Sequence, residues 1–130
     1  MNPLLNKKKF IDTHTLFERS SESERILQKF PDRIPIICER NSKDYSAPYI
    51  DKNKYLVPKD LTVGQFIYVI RKRMKLNPAE ALFIFINGNI VPTHSTMAYI
   101  YPMFKDVDGF LYITYAKETT FGYKETKVSL

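Results

Sequence analysis

The stretch Lys54-Tyr55-Leu56-Val57-Pro58-Lys59-Asp60-Leu61-Thr62-Val63-Gly64-Gln65-Phe66-Ile67-Tyr68-Val69-Ile70-Arg71-Lys72-Arg73-Met74 decides the fold. Lys54–Val57 reads as a strand, and Pro58, with no amide to donate, closes it. Thr62 is a good helix N-cap. Val63, Phe66, Ile67, Ile70 and Met74 then recur at helical spacing until Asn77-Pro78 breaks the run. This helix carries more apolar groups than one buried stripe requires. Val63, Ile67, Ile70 and Met74 make the stripe, and Phe66, Tyr68 and Val69 widen it. A wide apolar arc means either deep burial or a groove for a partner.

Upstream, Arg33-Ile34-Pro35-Ile36-Ile37-Cys38-Glu39 is apolar and β-branched and predicts a strand, irregular or partly at an edge where Pro35 lacks its donor. It pairs with Lys54–Val57 as an antiparallel hairpin with a long connection. Asn41–Ala47 is polar and loop-like. If Lys54–Val57 is an edge strand, its unpaired amides and carbonyls accept an extended peptide, and Lys52 and Lys54 attract acidic residues in it. Side chains of the added strand alternate, so residues two apart, or three with a local offset, fill separate pockets. Further upstream, Thr15 and Glu18 form a capping-box pattern, repeated by Ser21 and Glu24. A helix over 16–29 follows, with Ile26, Leu27 and Phe30 as apolar contacts and Pro31 as its stop. In the first twelve residues, Leu4, Leu5 and Phe10 make a short helix or a docked arm.

Downstream, Leu82–Ile86 reads as a strand and Asn87-Gly88 as a tight turn. Ile90-Val91 returns briefly. Thr96–Tyr101 predicts a short helix ended by Pro102. Asp108-Gly109 makes a turn before the last long strand, Phe110–Tyr115. The order β-β-α-β-(β)-α-β predicts an α+β, ubiquitin-like β-grasp. Three regions are expected: a helical extension over 1–30, the core over 31–117 and a flexible tail over 118–130.

The chain has 130 residues, 44% hydrophobic and 26% charged, with a formal net charge of +6. That balance supports one packed domain and argues against general disorder. Cys38 is the single cysteine, so no internal disulfide forms and a reduced, cytoplasmic compartment is expected. No signal peptide is visible, since no apolar run follows Lys7-Lys8-Lys9. Phe66–Ile70 and Leu82–Ile86 are too short to span a bilayer. Asn2 excludes a myristoylation signal, and the last residues are not a prenylation box.

A catalytic centre needs convergent groups, and none is expected. Cys38 lies inside an apolar strand. His14 and His94 have no metal-ligand spacing. No phosphate-cradling glycine loop occurs. Arg71-Lys72-Arg73 with Lys75 sits where cations offset a helix dipole, and nothing resembles a nucleic-acid-binding signature, so no nucleic acid is expected. The rival class is a basic module that binds nucleic acid or microtubules and is never lipidated.

The run from Lys54 to Phe66, continued by Val69-Ile70-Arg71-Lys72-Arg73, resembles the GABARAP-type autophagy modifiers, relatives of the microtubule-associated protein light chain. Arg33–Glu39, Phe83-Ile84-Phe85, Asp108-Gly109-Phe110-Leu111-Tyr112 and Thr120-Phe121-Gly122 match as well, over about Phe10 to Gly122. The resemblance implies a ubiquitin-like core with two additional N-terminal helices. It implies cleavage by a cysteine protease that reads Phe121, removal of Tyr123–Leu130, and transfer of Gly122 by activating and conjugating enzymes to phosphatidylethanolamine. That covalent lipid is the only cofactor-like group implied, and it places the protein on autophagosomal membranes. A bare glycine passes a narrow enzyme channel, and Lys117–Thr120 supply the reach. The resemblance also implies cargo receptors as partners, bound through aromatic-x-x-aliphatic motifs. Glu22, Ile26, Pro35, Ile37, Lys54, Leu56 and Phe110 would take the aromatic side chain. Tyr55, Val57, Pro58, Leu61, Phe66, Val69 and Ile70 would take the aliphatic one. Arg71 would meet the acidic flank, and Phe83 and Phe85 match a second docking surface. The longer N-terminus with Lys7-Lys8-Lys9 and the loop Asn41–Ala47 depart from the usual pattern.

Overall fold

The computed structural model describes residues 7–122. The expectations for Asn2, Leu4, Leu5 and Tyr123–Leu130 lie outside those residues. The elements run α1 (Phe10–Thr13), α2 (Leu16–Lys29), β1 (Arg33–Arg40), β2 (Lys54–Pro58), α3 (Val63–Met74), β3 (Phe83–Ile86), α4 (Met97–Phe104) and β4 (Leu111–Ala116), followed by a 3₁₀ turn at Thr119–Phe121. The strands form one sheet in the order β2-β1-β4-β3. β1 and β2 are antiparallel, β1 and β4 parallel, and β3 and β4 antiparallel. This is the expected β-grasp with N-terminal helices.

Strand alternation divides the packing. Ile34, Ile36 and Cys38 of β1, Tyr55 and Val57 of β2, and Leu111, Ile113 and Tyr115 of β4 share the main core with Val63, Phe66 and Ile70 of α3 and Met97 and Ile100 of α4. On the other face, Ile37 and Phe110 pack with Phe10, Ile26 and Tyr112. The two long helices start as their sequences dictate. Thr15 and Glu18 cap α2 reciprocally, and Thr62 and Gln65 do the same for α3. Each box satisfies two amides that the first turn leaves orphaned. Asn87 (φ 52°) and Gly88 (φ 77°) make the tight turn after β3.

Several expectations need correction. Pro35 is not at an edge: it is buried in β1 and pairs with Leu56, and only the β4 ladder begins one residue later, at Ile36. Phe30 is no core contact. It forms the C-cap of α2, 40% exposed, with the Lys29 ammonium 5.5 Å from its ring centroid. Ile90-Val91 forms no strand; the turn closes in an isolated Ile86–Asn89 bridge. Pro102 lies inside α4 instead of ending it. The helix tolerates it because its start is pinned from outside: the Met97 amide donates to the Leu61 carbonyl (2.8 Å) and the Ala98 amide to the Lys59 carbonyl (2.9 Å). The Lys105 amide resumes bonding at the C-cap, to the Tyr101 carbonyl.

One buried polar cluster ties α2 to the sheet. Arg19 Nε donates to Asp108 Oδ2 at 2.8 Å, and the Tyr112 hydroxyl donates to the same oxygen at 2.6 Å. The Phe110 amide donates to Asp108 Oδ1 at 2.8 Å. The Ser23 hydroxyl donates to the Asp108 carbonyl. Gly109 follows at φ +94°, where an added Cβ would strike the Ser23 hydroxyl. Removing one partner leaves the other charge buried and unpaired. We therefore expect Asp108→Ala to cost about 3 kcal/mol of stability in equilibrium urea unfolding; a loss below about 1 kcal/mol would mean that Arg19 is satisfied without it.

Candidate functional site

β2 is an edge strand, paired on one side only. Lys54 and Leu56 are half-buried on the α2 side, whereas Tyr55 and Val57 point into the main core beneath α3. The two faces of the edge therefore differ: Lys54 and Leu56 stand on the α2 side, and Tyr55 and Val57 are given to the core. Positions i and i+3 of an extended chain have opposite parity. Two such side chains of an extended chain lying along β2 would point to opposite faces of the sheet.

On the α2 side, Pro35, Ile37 and Phe110 are buried, Ile37 and Phe110 packing with Phe10 and Ile26. Glu22, Ile26, Lys54 and Leu56 are half-buried. An ion pair between Lys54 and Glu22 bridges the gap between β2 and α2. The Lys54 ammonium also lies 5.4 Å from the Phe10 ring centroid. An open cleft of about 580 Å³ continues along the edge past Asp51, Lys52, Asn53, Lys54 and Leu56.

On the α3 side the structure separates, by depth, residues that the family resemblance groups. Phe66 and Ile70 are fully buried, and Phe66 packs edge-on against Tyr55 with centroids 5.6 Å apart. Phe66 is core, not surplus surface, and Ile70 lies in the buried stripe as expected. Tyr55 and Val57 are likewise buried. Pro58, Leu61 and Val69 remain accessible, and Tyr68 is 61% exposed beside them on α3. Arg71 does not face the edge freely. Its guanidinium donates to the carbonyls of Glu80 (2.7 Å) and Asn77 (3.2 Å), holding the loop after α3.

The C-terminal residues fold back onto the opposite edge. The Lys117 amide donates to Asp44 Oδ2 at 2.7 Å, and the Lys117 ammonium pairs with Glu80. Burial raises the Asp44 carboxyl, but hydrogen bonds from Lys117, Ser46 and Ala47 outweigh it and leave the pKa below its usual value. The Lys117 hydrogen bond likewise lowers Glu80. Asn41 Nδ2 donates to the Phe121 carbonyl at 3.5 Å. Gly122 is buried, and a Cβ there would stand 2.7 and 2.9 Å from the Phe85 ring. Phe83 is half-buried and Phe85 only 2% exposed. Nothing in the sequence marks Asp44, Asn41 or Glu80 as tail anchors; they are ordinary loop polar residues until the fold brings them to residue 117 and beyond.

The remaining chemistry is structural. Burial pushes the Cys38 thiol well above its usual pKa. His14 stacks on Phe10 with centroids 4.3 Å apart, and His94 is exposed. Among the described residues no His, Cys, Asp and Glu cluster could hold a metal ion.

A family model described as "Autophagy protein Atg8 ubiquitin like" matches residues 18–122. Autophagy-related protein 8 of Neurospora crassa is 58% identical over 120 residues, covering 92% of this chain and 98% of the relative. Its namesake in Aspergillus niger is 58% identical over 116 residues, covering 89% and 98%. The crystal structure of Trypanosoma brucei ATG8 superposes with a TM-score of 0.80 at 44% identity, covering 89% of this chain and 99% of that one.

The thiolate is the reactive form of cysteine, and Cys38 is completely buried. A thiol reagent should leave the native protein unlabelled at neutral pH and modify one site after unfolding in guanidinium. Stoichiometric labelling of the folded protein, read by intact mass, would contradict this burial.

Proposed function

The chain belongs to the Atg8 family of autophagy ubiquitin-like proteins, and on that premise we propose that it is joined through Gly122 to phosphatidylethanolamine and recruits cargo receptors by binding aromatic-x-x-aliphatic peptides along β2. Members of this family are ubiquitin-like modifiers, not enzymes. The observation that carries the attachment reading is where the family correspondence stops: it runs to Gly122 and no further. A cysteine protease would remove Tyr123–Leu130, and activating and conjugating enzymes would carry the exposed glycine carboxyl to the lipid amine. No described helix is long and apolar enough to cross a membrane. The two acyl chains of the phospholipid supply the pair of signals that stable anchoring requires, which would place the protein on the autophagosomal surface.

Peptide recognition is supported by the open edge and by the cleft that runs along it past Lys54 and Leu56. Two side chains buried there contribute ~2–3 kcal/mol each before ordering costs, which corresponds to roughly micromolar binding. Lys52, exposed beside the edge, favours acidic flanks. The aromatic side chain requires Lys54 to swing away from Glu22. A basic module for nucleic acid or microtubules is the weaker reading. Arg73 pairs with Asp51 at 2.9 Å, Lys72 lies over Tyr68, and Arg71 holds a loop, so three of the four cations at the end of α3 have partners within the chain.

Gly122→Ala should abolish the lipidated species in the membrane fraction of starved cells, by intact mass, while leaving peptide affinity unchanged. Loss of both together would break the proposed separation of roles. Leu56→Ala should weaken an acid-flanked motif peptide by at least about tenfold in calorimetry, the effect of ~1.4 kcal/mol, with the thermal midpoint little changed. An unaltered affinity would remove Leu56 from the site.

A further inference from the structure

We propose that β3 carries a docking notch for this chain's own C-terminal segment, and that release of the segment uncovers Phe85 as it frees Gly122. The argument starts from strand parity. Ile84 and Ile86 enter the main core, so Phe83 and Phe85 face the other side of the sheet. The residues of α1 and α2 that cover that side, Phe10 and Ile26, pack over Ile37, Phe110 and Tyr112 and not over β3. Phe85 belongs to neither apolar cluster, yet it is only 2% exposed.

The returning chain supplies the cover. An added Cβ on Gly122 would stand 2.7 Å from Phe85 Cε1, 2.9 Å from Cδ1 and 3.3 Å from the Gly88 carbonyl oxygen. Carbon atoms in contact sit at about 3.5–4.0 Å, so only a residue without a side chain fits. A side chain at this docked position would force the Phe85 ring or the turn to move.

The hold is firm upstream and weak at the tip. Lys117 is fixed by Asp44 through its amide and by Glu80 through its ammonium. Beyond it, the Gly122 amide donates to the Thr119 carbonyl at 3.2 Å, and Asn41 reaches the Phe121 carbonyl at 3.5 Å. Residues 118–122 can therefore leave as a unit while Lys117 stays anchored. The docked turn buries Gly122, whereas a narrow channel needs it extended. Docking and conjugation exclude each other, and any ligand of Phe85 competes with the tail. The conjugation half of this statement rests on Gly122 being the attachment residue; the notch does not.

Nuclear magnetic resonance on the full chain tests it. The Gly122 α-protons should be shifted by the Phe85 ring current and show an Overhauser contact to its ring protons. Gly122→Ala should abolish the contact and make the Phe85 ring several-fold more sensitive to a soluble gadolinium chelate, with Phe110 unaffected. Phe85→Ala should return the Gly122 shift to its random-coil value. A random-coil Gly122 in the unaltered chain, or equal protection of Phe85 with and without Gly122→Ala, overturns the proposal. Lipidation plays no part in these spectra. A chain that shows the contact but is never lipidated keeps the notch and loses the attachment reading; a lipidated chain without the contact loses the notch alone.

Discussion

The parallel pairing of β1 with β4 is the constraint on which the rest of the molecule depends. Its register runs from Ile36–Leu111 to Arg40–Tyr115, joining the first strand to the last. Parallel neighbours cannot be joined by a tight turn and need a crossover. Everything between Arg40 and Leu111 must therefore be placed around that central pair. β2 and β3 become the two edges, and α3 covers the main core between them. Both proposed sites follow from this placement. One edge keeps its backbone open for a guest. The other has its outer face covered by the segment that runs out of β4.

The charge balance shows how little a net figure says about partners. The described cations are extensively engaged within the chain. Arg40 is 3% exposed, its guanidinium 4.3 Å from the Tyr49 ring centroid and 5.4 Å from that of Tyr45. It donates to the Tyr49 hydroxyl at 2.8 Å and to the Asp44 carbonyl, leaving Nε without a partner. Burial lowers the pKa of Lys9, whose ammonium donates to the Arg40 carbonyl. Lys7, Lys52 and Lys105 each lie over a tyrosine ring. Such contacts between ammonium groups and ring faces are individually modest, but they assign many cations an internal role. A positive total thus describes surface chemistry without identifying a nucleic-acid partner.

What the sequence made legible was local. Thr15 and Glu18, the N-cap Thr62, and Asn87-Gly88 act over three or four residues, and the helices and turn they specify form where expected. Depth was not legible. Phe66 and Val69 stand three apart on one helix, yet one is fully buried and the other 37% exposed. The difference is made by Tyr55, which meets Phe66 from a separate strand. The pocket residues were grouped through family likeness, which cannot tell a buried residue from an accessible one. Pro102 misled for a related reason, since its cost to α4 is offset by bonds to Lys59 and Leu61, far away in sequence.

Gly122 shows the limit most sharply. As a letter near the end of a chain, it differs in no way from a tail glycine. An enzyme channel explains why a side chain would be harmful in the extended state, but it gives no reason for Phe85 to be so well covered in the folded one. The notch supplies that reason, because the missing side chain is what lets the backbone lie against the ring. Glycine's freedom from steric conflict is then used in both states, and a single added methyl group opposes each of them.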